Sequence, residues 1–416
     1  MSTTGRKKPR LVADKRRKKT KPKKSWGLLR KPAKKPRKTR KSRSRGVISG
    51  FFRGIFFWIM RLVWSITWRA SVLVVLVVAL AVLYTFATLP GVNALLDGRA
   101  RGSVTLLDRE GEVFAWRGDQ FGGVVTAETV SPHLKNAVVA TEDKRFYRHF
   151  GISPRGVASA IRINLSEGRG PLSGHGGSTI TQQTAKLLCL GVEYDNAKWE
   201  SEQDYVQDCR RGSLSRKVKE AIYALAMEAK YSKNEILSIY LNRAYMGSGA
   251  FGAEAAAQRY FGKHAAELNP QESAMLAGLL TAPTRLAPTT NLERSQDRAA
   301  IILRLMSDQG YLTGAEAHSA QQNPATLSEA AEAQTGGYFA DWVMESGPDF
   351  FTRDTTEDVI IKTTLDQRIQ RAAEEALQFV FDEKVKEGSL AQAAIVVMSA
   401  DGAVRAMVGG HNTRVT

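Results

Sequence analysis

Glu142-Asp143-Lys144-Arg145-Phe146-Tyr147-Arg148-His149-Phe150-Gly151 is the stretch around which the rest of the chain can be read. Ser131-Pro132, just upstream, supplies a helix N-cap followed by proline at the first helical position. Leu134 and Val138 then share one apolar helix face. The segment therefore reads as a helix that closes on two adjacent carboxylates. Neighbouring helical residues point about 100° apart, so only one of Glu142 and Asp143 can face a given cleft. Taken alone, this is first of all a solvated helix end with Lys144 and Arg145 as counter-charges.

Two further constellations follow. Gly174-His175-Gly176-Gly177-Ser178-Thr179-Ile180-Thr181-Gln182-Gln183, running on to Lys186, is a Gly-rich loop opening a helix. Free backbone N–H groups at such a start attract anions, and Lys186 lies two turns in. It lacks the Gly-Lys-Ser/Thr of a nucleotide-binding loop, and a flexible loop before an ordinary capped helix explains it as well. Arg216-Lys217-Val218-Lys219-Glu220 places Glu220 at i+4 from Arg216 and i+3 from Lys217. By itself that is a pair of surface ion pairs worth at most about 1 kcal/mol.

Residues 131–306 are strongly helical in pattern. Ser153-Pro154 repeats the cap-and-proline start, and Ser232 to Glu235 is a capping box opening 236–245. Residues 103–116 read as a β-hairpin around Asp108 to Gly111, and 394–409 as a second around Asp401-Gly402. Residues 315–335 look like a polar connector, 359–364 is strand-like, and 366–387 is an amphipathic helix. No internal repeat is visible.

Of the net charge of +19, residues 1–45 carry +21, with 22 Lys and Arg against Asp14, leaving −2 for the rest. The basicity is a tail, expected to be disordered, and the body is nearly neutral. That balance argues against a nucleic-acid partner. Residues 70–89 are 20 positions without a charge, about 30 Å of helix, enough to cross a bilayer. The basic flank places the tail in the cytoplasm, against anionic lipids, and the body outside. No small-residue cleavage site follows, so the segment reads as a signal anchor. Residues 47–68, aromatic and apolar but carrying Arg53 and Arg61, are expected at the inner interface with Trp58, Trp64 and Trp68 as anchors. The two cysteines, Cys189 and Cys209, have no metal-ligand spacing, and the six histidines are scattered, so no structural metal is expected.

The three constellations taken in order, with SKNEILSIYLNRAYMG (232–247), YFGK (260–263) and LAGLLTAPT (276–284), resemble the family 51 glycosyltransferases over about 124–306. These are the peptidoglycan polymerases that stand alone or as the first domain of class A penicillin-binding proteins. The resemblance implies a mainly α, lysozyme-like domain. It also implies polymerisation of lipid II into β-1,4-linked glycan with inversion and release of undecaprenyl pyrophosphate. Glu142 matches the general base and Glu220 the second essential glutamate. Asp143, Phe146 and His149 complete the first motif. Gly177, Ser178, Thr179, Gln182, Gln183 and Lys186 match the donor-site motif, Arg216 and Lys217 the basic pair, and Lys233, Asn242 and Lys263 the later motifs. No cofactor is required, although a divalent cation (Mg or Mn) on the pyrophosphate remains open. The partners implied are lipid II, the lipid-linked strand, the cytoplasmic membrane and other cell-wall synthesis proteins. The implied location is the bacterial inner membrane, single-pass, with the catalytic domain periplasmic or extracellular.

The match departs in two places: Thr184 and Leu187 alter the second motif, and 190–212 looks like an acidic insertion flanked by the cysteines. A Cys189–Cys209 disulfide is expected in an oxidising compartment, contributing about 3 kcal/mol by restricting the unfolded chain. Residues 361–412 resemble the linker and first strands of a penicillin-binding transpeptidase. No Ser-x-x-Lys or Lys-Thr-Gly occurs in 1–416, so transpeptidase activity is not expected. The organisation expected is a basic tail (1–46), a membrane segment (47–90), a β-hairpin connector (91–123) and a glycosyltransferase domain (124–308). A linker (309–390) and an incomplete start of an α/β transpeptidase domain (391–416) complete it, as in a fragment or truncated product. The nearest alternative is a lysozyme-like lytic transglycosylase, which also uses an essential glutamate but needs no basic pyrophosphate site. The alternative of another class is a non-catalytic membrane scaffold.

Overall fold

A computed structural model of the chain describes residues 47–96, 104–118, 120–170, 177–192, 194–328, 331, 337–347, 359–386, 389 and 391–409. The basic tail and the loop residues Gly174, His175 and Gly176 lie outside them. The chain divides into two compact units, Met1–Arg69 and Ala70–Thr416.

The apolar segment is one unbroken helix, α1 (Val47–Thr88), of which Gly54–Thr88 is long and apolar enough to cross a membrane. The expected interfacial piece and the expected span thus lie on one continuous helix. Arg53, Arg61 and Arg69 interrupt the hydropathy but not the helix, because single arginines keep high helix propensity. Its Leu73, Val75, Leu80 and Leu83 remain exposed, while Val82, near its end, packs against the main core.

After α1, the short helix α2 (Val92–Leu96) leads to strands β1 (Val104–Leu107) and β2 (Val113–Arg117). The main helical body comprises α3 (Pro132–Glu142), α4 (Pro154–Ser166), α5 (Ile180–Leu187), α6 (Glu202–Arg210), α7 (Leu214–Lys230), α8 (Lys233–Arg243) and α9 (Ala253–Phe261). It continues with α10 (Pro270–Leu279), α11 (Pro283–Leu286), α12 (Leu292–Asp308) and α13 (Gly314–Gln322). Then come α14 (Gly337–Ser346), β3 (Val359–Lys362), α15 (Gln367–Lys384), β4 (Ala394–Met398) and β5 (Val404–Gly409).

Ser131, Ser153 and Ser232 cap α3, α4 and α8 as their sequences require, Ser232 within a capping box with Glu235. The centre of the body is α8 and α10. Ile236 through Asn242 and Glu272 through Leu279 are buried without interruption, the pattern of helices surrounded on every side. Each fully buried leucine or isoleucine there contributes on the order of 2 kcal/mol. α10 packs on α3 and α12, and α5 on α7 and α8.

Residues 314–322, read as part of a polar connector, form a helix instead. Thr313 and Glu316 make its capping box, and Ala317, Ala320 and Ala325 enter the main core. A face built from alanines is too weakly apolar to register as a stripe in the sequence. Beyond it, β3 pairs in parallel with β1, and β1 pairs antiparallel with β2, giving the order β2-β1-β3. The connector hairpin and the linker strand thus share one sheet, packed through Leu106, Phe114, Phe339 and Leu365. Asp108 forms the hairpin turn by accepting from the N–H groups of Gly111 and Glu112, both at 2.8 Å. α15 lays Ala373, Leu377 and Phe381 on Ala406 and Val408 of the β4–β5 hairpin.

The end of α1 is held by α7 and α8. Lys230 Nζ donates to the carbonyls of Phe86 and Leu89, Tyr231 Oη to that of Pro90, and Arg243 Nε to that of Leu95. These side chains satisfy carbonyls that a helix end and its exit leave unpaired.

Candidate active site

Glu142 is the last residue of α3 and Asp143 its C-cap. Their side chains part, as adjacent helical positions must. Asp143 Oδ2 accepts from His149 Nε2 at 2.8 Å and from the backbone N–H of Ile180 at 3.2 Å, the first residue of α5. A carboxylate there meets the positive end of the α5 dipole and pins the close of α3 to the start of α5. Glu142 is left to the other side, partly buried, where Gln183 Nε2 donates to its Oε2 at 2.9 Å. Gln183 is itself oriented by Tyr240 Oη, which donates to its Oε1 at 3.2 Å. Burial pushes the Glu142 carboxyl above the ordinary carboxylate value, against the opposing pull of the Gln183 hydrogen bond and Arg298.

α5 begins with Thr179, whose side chain caps the N–H of Gln182 while Gln182 returns a bond to the Thr179 N–H. Gly177, just before, is a close approach: a Cβ there would lie 2.6 Å from Val157 Cα at the first turn of α4. Only glycine lets the loop pass this near the α4 backbone.

Glu220 stands in the second turn of α7, with its side chain 1% exposed. Arg216 Nη1 lies 3.0 Å from its Oε1, and Lys217 Nζ donates to its Oε2 at 2.7 Å. The Arg216 contact has ion-pair distance without hydrogen-bond alignment, so Oε1 and the Arg216 Nε are buried without an aligned partner. This is not the surface pair that the spacing alone suggests. The same Lys217 Nζ donates to Ser178 Oγ at 3.0 Å. One continuous path therefore joins the two glutamates: Glu142 to Gln183 on α5, along α5 to Ser178, then through Lys217 to Glu220. Its two anchors on and before α5 are separated by roughly 8 Å of chain.

Several of the residues that the resemblance places at the substrate are held by contacts within the fold. Phe146 is 0% exposed, beneath Lys233, whose Nζ lies 4.5 Å from the ring centroid, so it offers no surface to a ligand. Thr179 and Gln182 are buried in their capping box. Asn242 holds the extended segment at Val125, accepting from its N–H at 2.9 Å and donating to its carbonyl at 2.6 Å. Lys263 pairs with Glu272 at 2.7 Å, and Lys233 with Glu228 at 2.6 Å. Lys186 lies in the last turn of α5.

Three residues escaped the sequence reading. Tyr240 and Arg298 carry no local signal, and only packing brings them to Glu142. Glu228, which also accepts from Thr181 Oγ1 at 2.6 Å, recurs eight positions after Glu220 on one face of α7, a spacing that could have marked it. Cys189 and Cys209 are disulfide-bonded, with Cα atoms 5.3 Å apart. Among the described residues no group of three or more His, Cys, Asp or Glu could hold a metal ion.

The arrangement is a helical domain with a partly desolvated carboxylate and a second, cation-clamped carboxylate joined through one helix. Residues 110–307 match the transglycosylase family model, and this stretch belongs to that family, the family 51 glycosyltransferases. The chain is 36% identical over 272 residues to penicillin-binding protein 1A of Aquifex aeolicus (strain VF5), covering 65% of this chain and 35% of the relative. It is 32% identical over 315 residues to penicillin-binding protein 1A of Escherichia coli (strain K12), covering 73% and 34%. The chain thus spans about a third of the length of the curated relatives it matches. Penicillin-binding protein 1A from Haemophilus influenzae, solved by crystallography, aligns at a TM-score of 0.36 and 20% identity over 70% of this chain and 31% of that one, too loosely to fix any element of the fold.

Proposed function

We propose that this chain polymerises lipid II into β-1,4-linked glycan strands, with Glu142 as general base and the Arg216–Lys217–Glu220 cluster on the leaving pyrophosphate. The observation that carries the reading is the asymmetry of the two carboxylates. Glu142 has one neutral side-chain donor and a carboxyl raised by burial, which suits a base that must accept a proton near neutrality. It would take the proton of the acceptor sugar's C4 hydroxyl as that oxygen attacks the anomeric carbon of the donor strand. The C–O bond to the lipid pyrophosphate breaks on the opposite face, so an α-linked donor gives a β bond.

Pyrophosphate leaves as an anion, and cations rather than a proton donor stabilise it. Lys217 is half exposed and already reaches Ser178 in the loop before α5. Glu220 holds both cations in place at the price of its own desolvation. A resident metal does not fit this donor set: Glu220 faces two cations, and no acidic cluster adjoins it among the described residues. A divalent cation, if used, would arrive on the phosphates, and no step depends on it.

Both substrates are lipid-linked, and α7 suits them. Glu220 and Lys230 lie on the order of 15 Å apart along this helix, and Lys230 grips the end of the apolar α1. With the basic tail in the cytoplasm, the domain works at the outer face of the membrane. The test is gel analysis of labelled lipid II incubated with the purified chain, with and without moenomycin. Moenomycin-sensitive growth of polymer supports the reading. Shortening of preformed glycan instead would make Glu142 the acid of a lytic enzyme.

A further inference from the structure

We propose that the Cys189–Cys209 disulfide is a positioning element of the candidate site, holding Arg216 against Glu220 by stapling the end of α5 to the approach of α7. The inference rests on the polymerase reading but concerns how the site is held. Cys189 follows α5 directly after its C-cap Leu188, and Cys209 lies in α6, four residues before α7 opens with its N-cap Ser213. α5 carries Gln183, the donor to Glu142, and α7 carries Glu220. The bond therefore ties together the two helices on which the two carboxylates depend.

The link to Arg216 is direct. Its Nη1 donates to the carbonyl of Cys209 at 3.3 Å while standing 3.0 Å from Glu220 Oε1. Its Nε is buried without a partner, so the Cys209 carbonyl and Glu220 are what fix the guanidinium. With the tether gone, α6 loses its covalent hold on α5, and the carbonyl that orients Arg216 moves with it.

The segment between the cysteines is seated rather than trailing. Tyr205 Oη donates to the Val192 carbonyl at 2.5 Å, and Tyr205 packs edge-on against Tyr194 and Trp199. Gly191 lies on the Tyr223 ring of α7. Cys189 and Leu190 both take left-handed backbone angles, φ 48° and 57°, which non-glycine residues rarely hold unless their surroundings impose them.

The test uses the full chain in detergent with lipid II. Reduction by a dithiol converts the bridge to two thiols, with two electrons and two protons supplied as the dithiol closes to its own disulfide. The reduced, alkylated wild type and the Cys189→Ser/Cys209→Ser variant should both lose about tenfold in kcat, the scale of a small misplacement in a catalytic site. The dithiol should leave the double-serine variant unchanged. Arg216→Ala should lower kcat, and adding both serines to it should lower kcat no further, which a general loss of stability would not produce. A readout independent of turnover is hydrogen exchange: amides of 214–220 should exchange faster without the bridge, while those of α8 and α10 keep their protection. Wild-type kcat in the double-serine variant, losses that multiply with Arg216→Ala, or unchanged exchange at 214–220 would overturn the proposal. An inactive oxidised wild type with faster 214–220 exchange on reduction would instead refute the polymerase reading and leave the positioning role standing.

Discussion

Glu142→Gln separates the chemistry from the fold. The amide has the shape of the carboxyl and can still accept from Gln183 Nε2, which now donates at 2.9 Å, so the junction of α3 and α5 should survive. A lost general base lowers the rate by about 10²- to 10⁴-fold, or roughly 3–5 kcal/mol in barrier. Stability should move the other way. Burial raises the Glu142 carboxyl above its ordinary value of 4.5, so the folded state favours the protonated form. That contribution is fully present below pH 4.5, the unfolded value, and is lost as pH rises through the higher folded value. At neutral pH the wild type has lost it, whereas glutamine, always neutral, has not. The variant should therefore be the more stable at pH 7, with the higher Tm. The gap should close as pH falls below about 4.5. Polymerisation of lipid II and thermal melts from pH 4 to 8 read both effects. A rate within threefold of wild type refutes the assignment of the base. A variant less stable at pH 7, or a gap that widens in acid, refutes the account of its environment.

The remaining expectations are simpler. Glu220→Ala leaves Arg216 facing an empty, desolvated site and should cost about 3 kcal/mol in urea unfolding, with Glu220→Gln costing less while still depressing polymerisation. Asn242→Ala strands the N–H and carbonyl of Val125, so a loss of about 1–3 kcal/mol is expected, with kcat per folded molecule close to wild type. A large kcat loss at unchanged Tm would instead place Asn242 at the substrate. Because no Ser-x-x-Lys occurs in 1–416, a fluorescent penicillin should leave no heat-stable label on this chain.

Much of the molecule was legible in one dimension. Helix starts are local events, set by a hydroxyl, a proline and the next few N–H groups, and Ser131, Ser153 and Ser232 behave as their neighbours dictate. The apolar run of α1 is equally local, and the order of the motifs points to the enzyme class without the fold. The i,i+3 and i,i+4 spacing also placed Arg216 and Lys217 on Glu220. What spacing could not supply was the dielectric around them. The same pair is a weak surface contact in water and a tight clamp when Glu220 is sealed, and only packing by other helices decides which. Tertiary structure likewise supplied the contacts of Phe146, Thr179 and Asn242, since a motif records that a residue matters and not which way it faces. It also docked the alanine face of 314–322 and paired β3 with β1, contacts between segments far apart in sequence that no local period encodes.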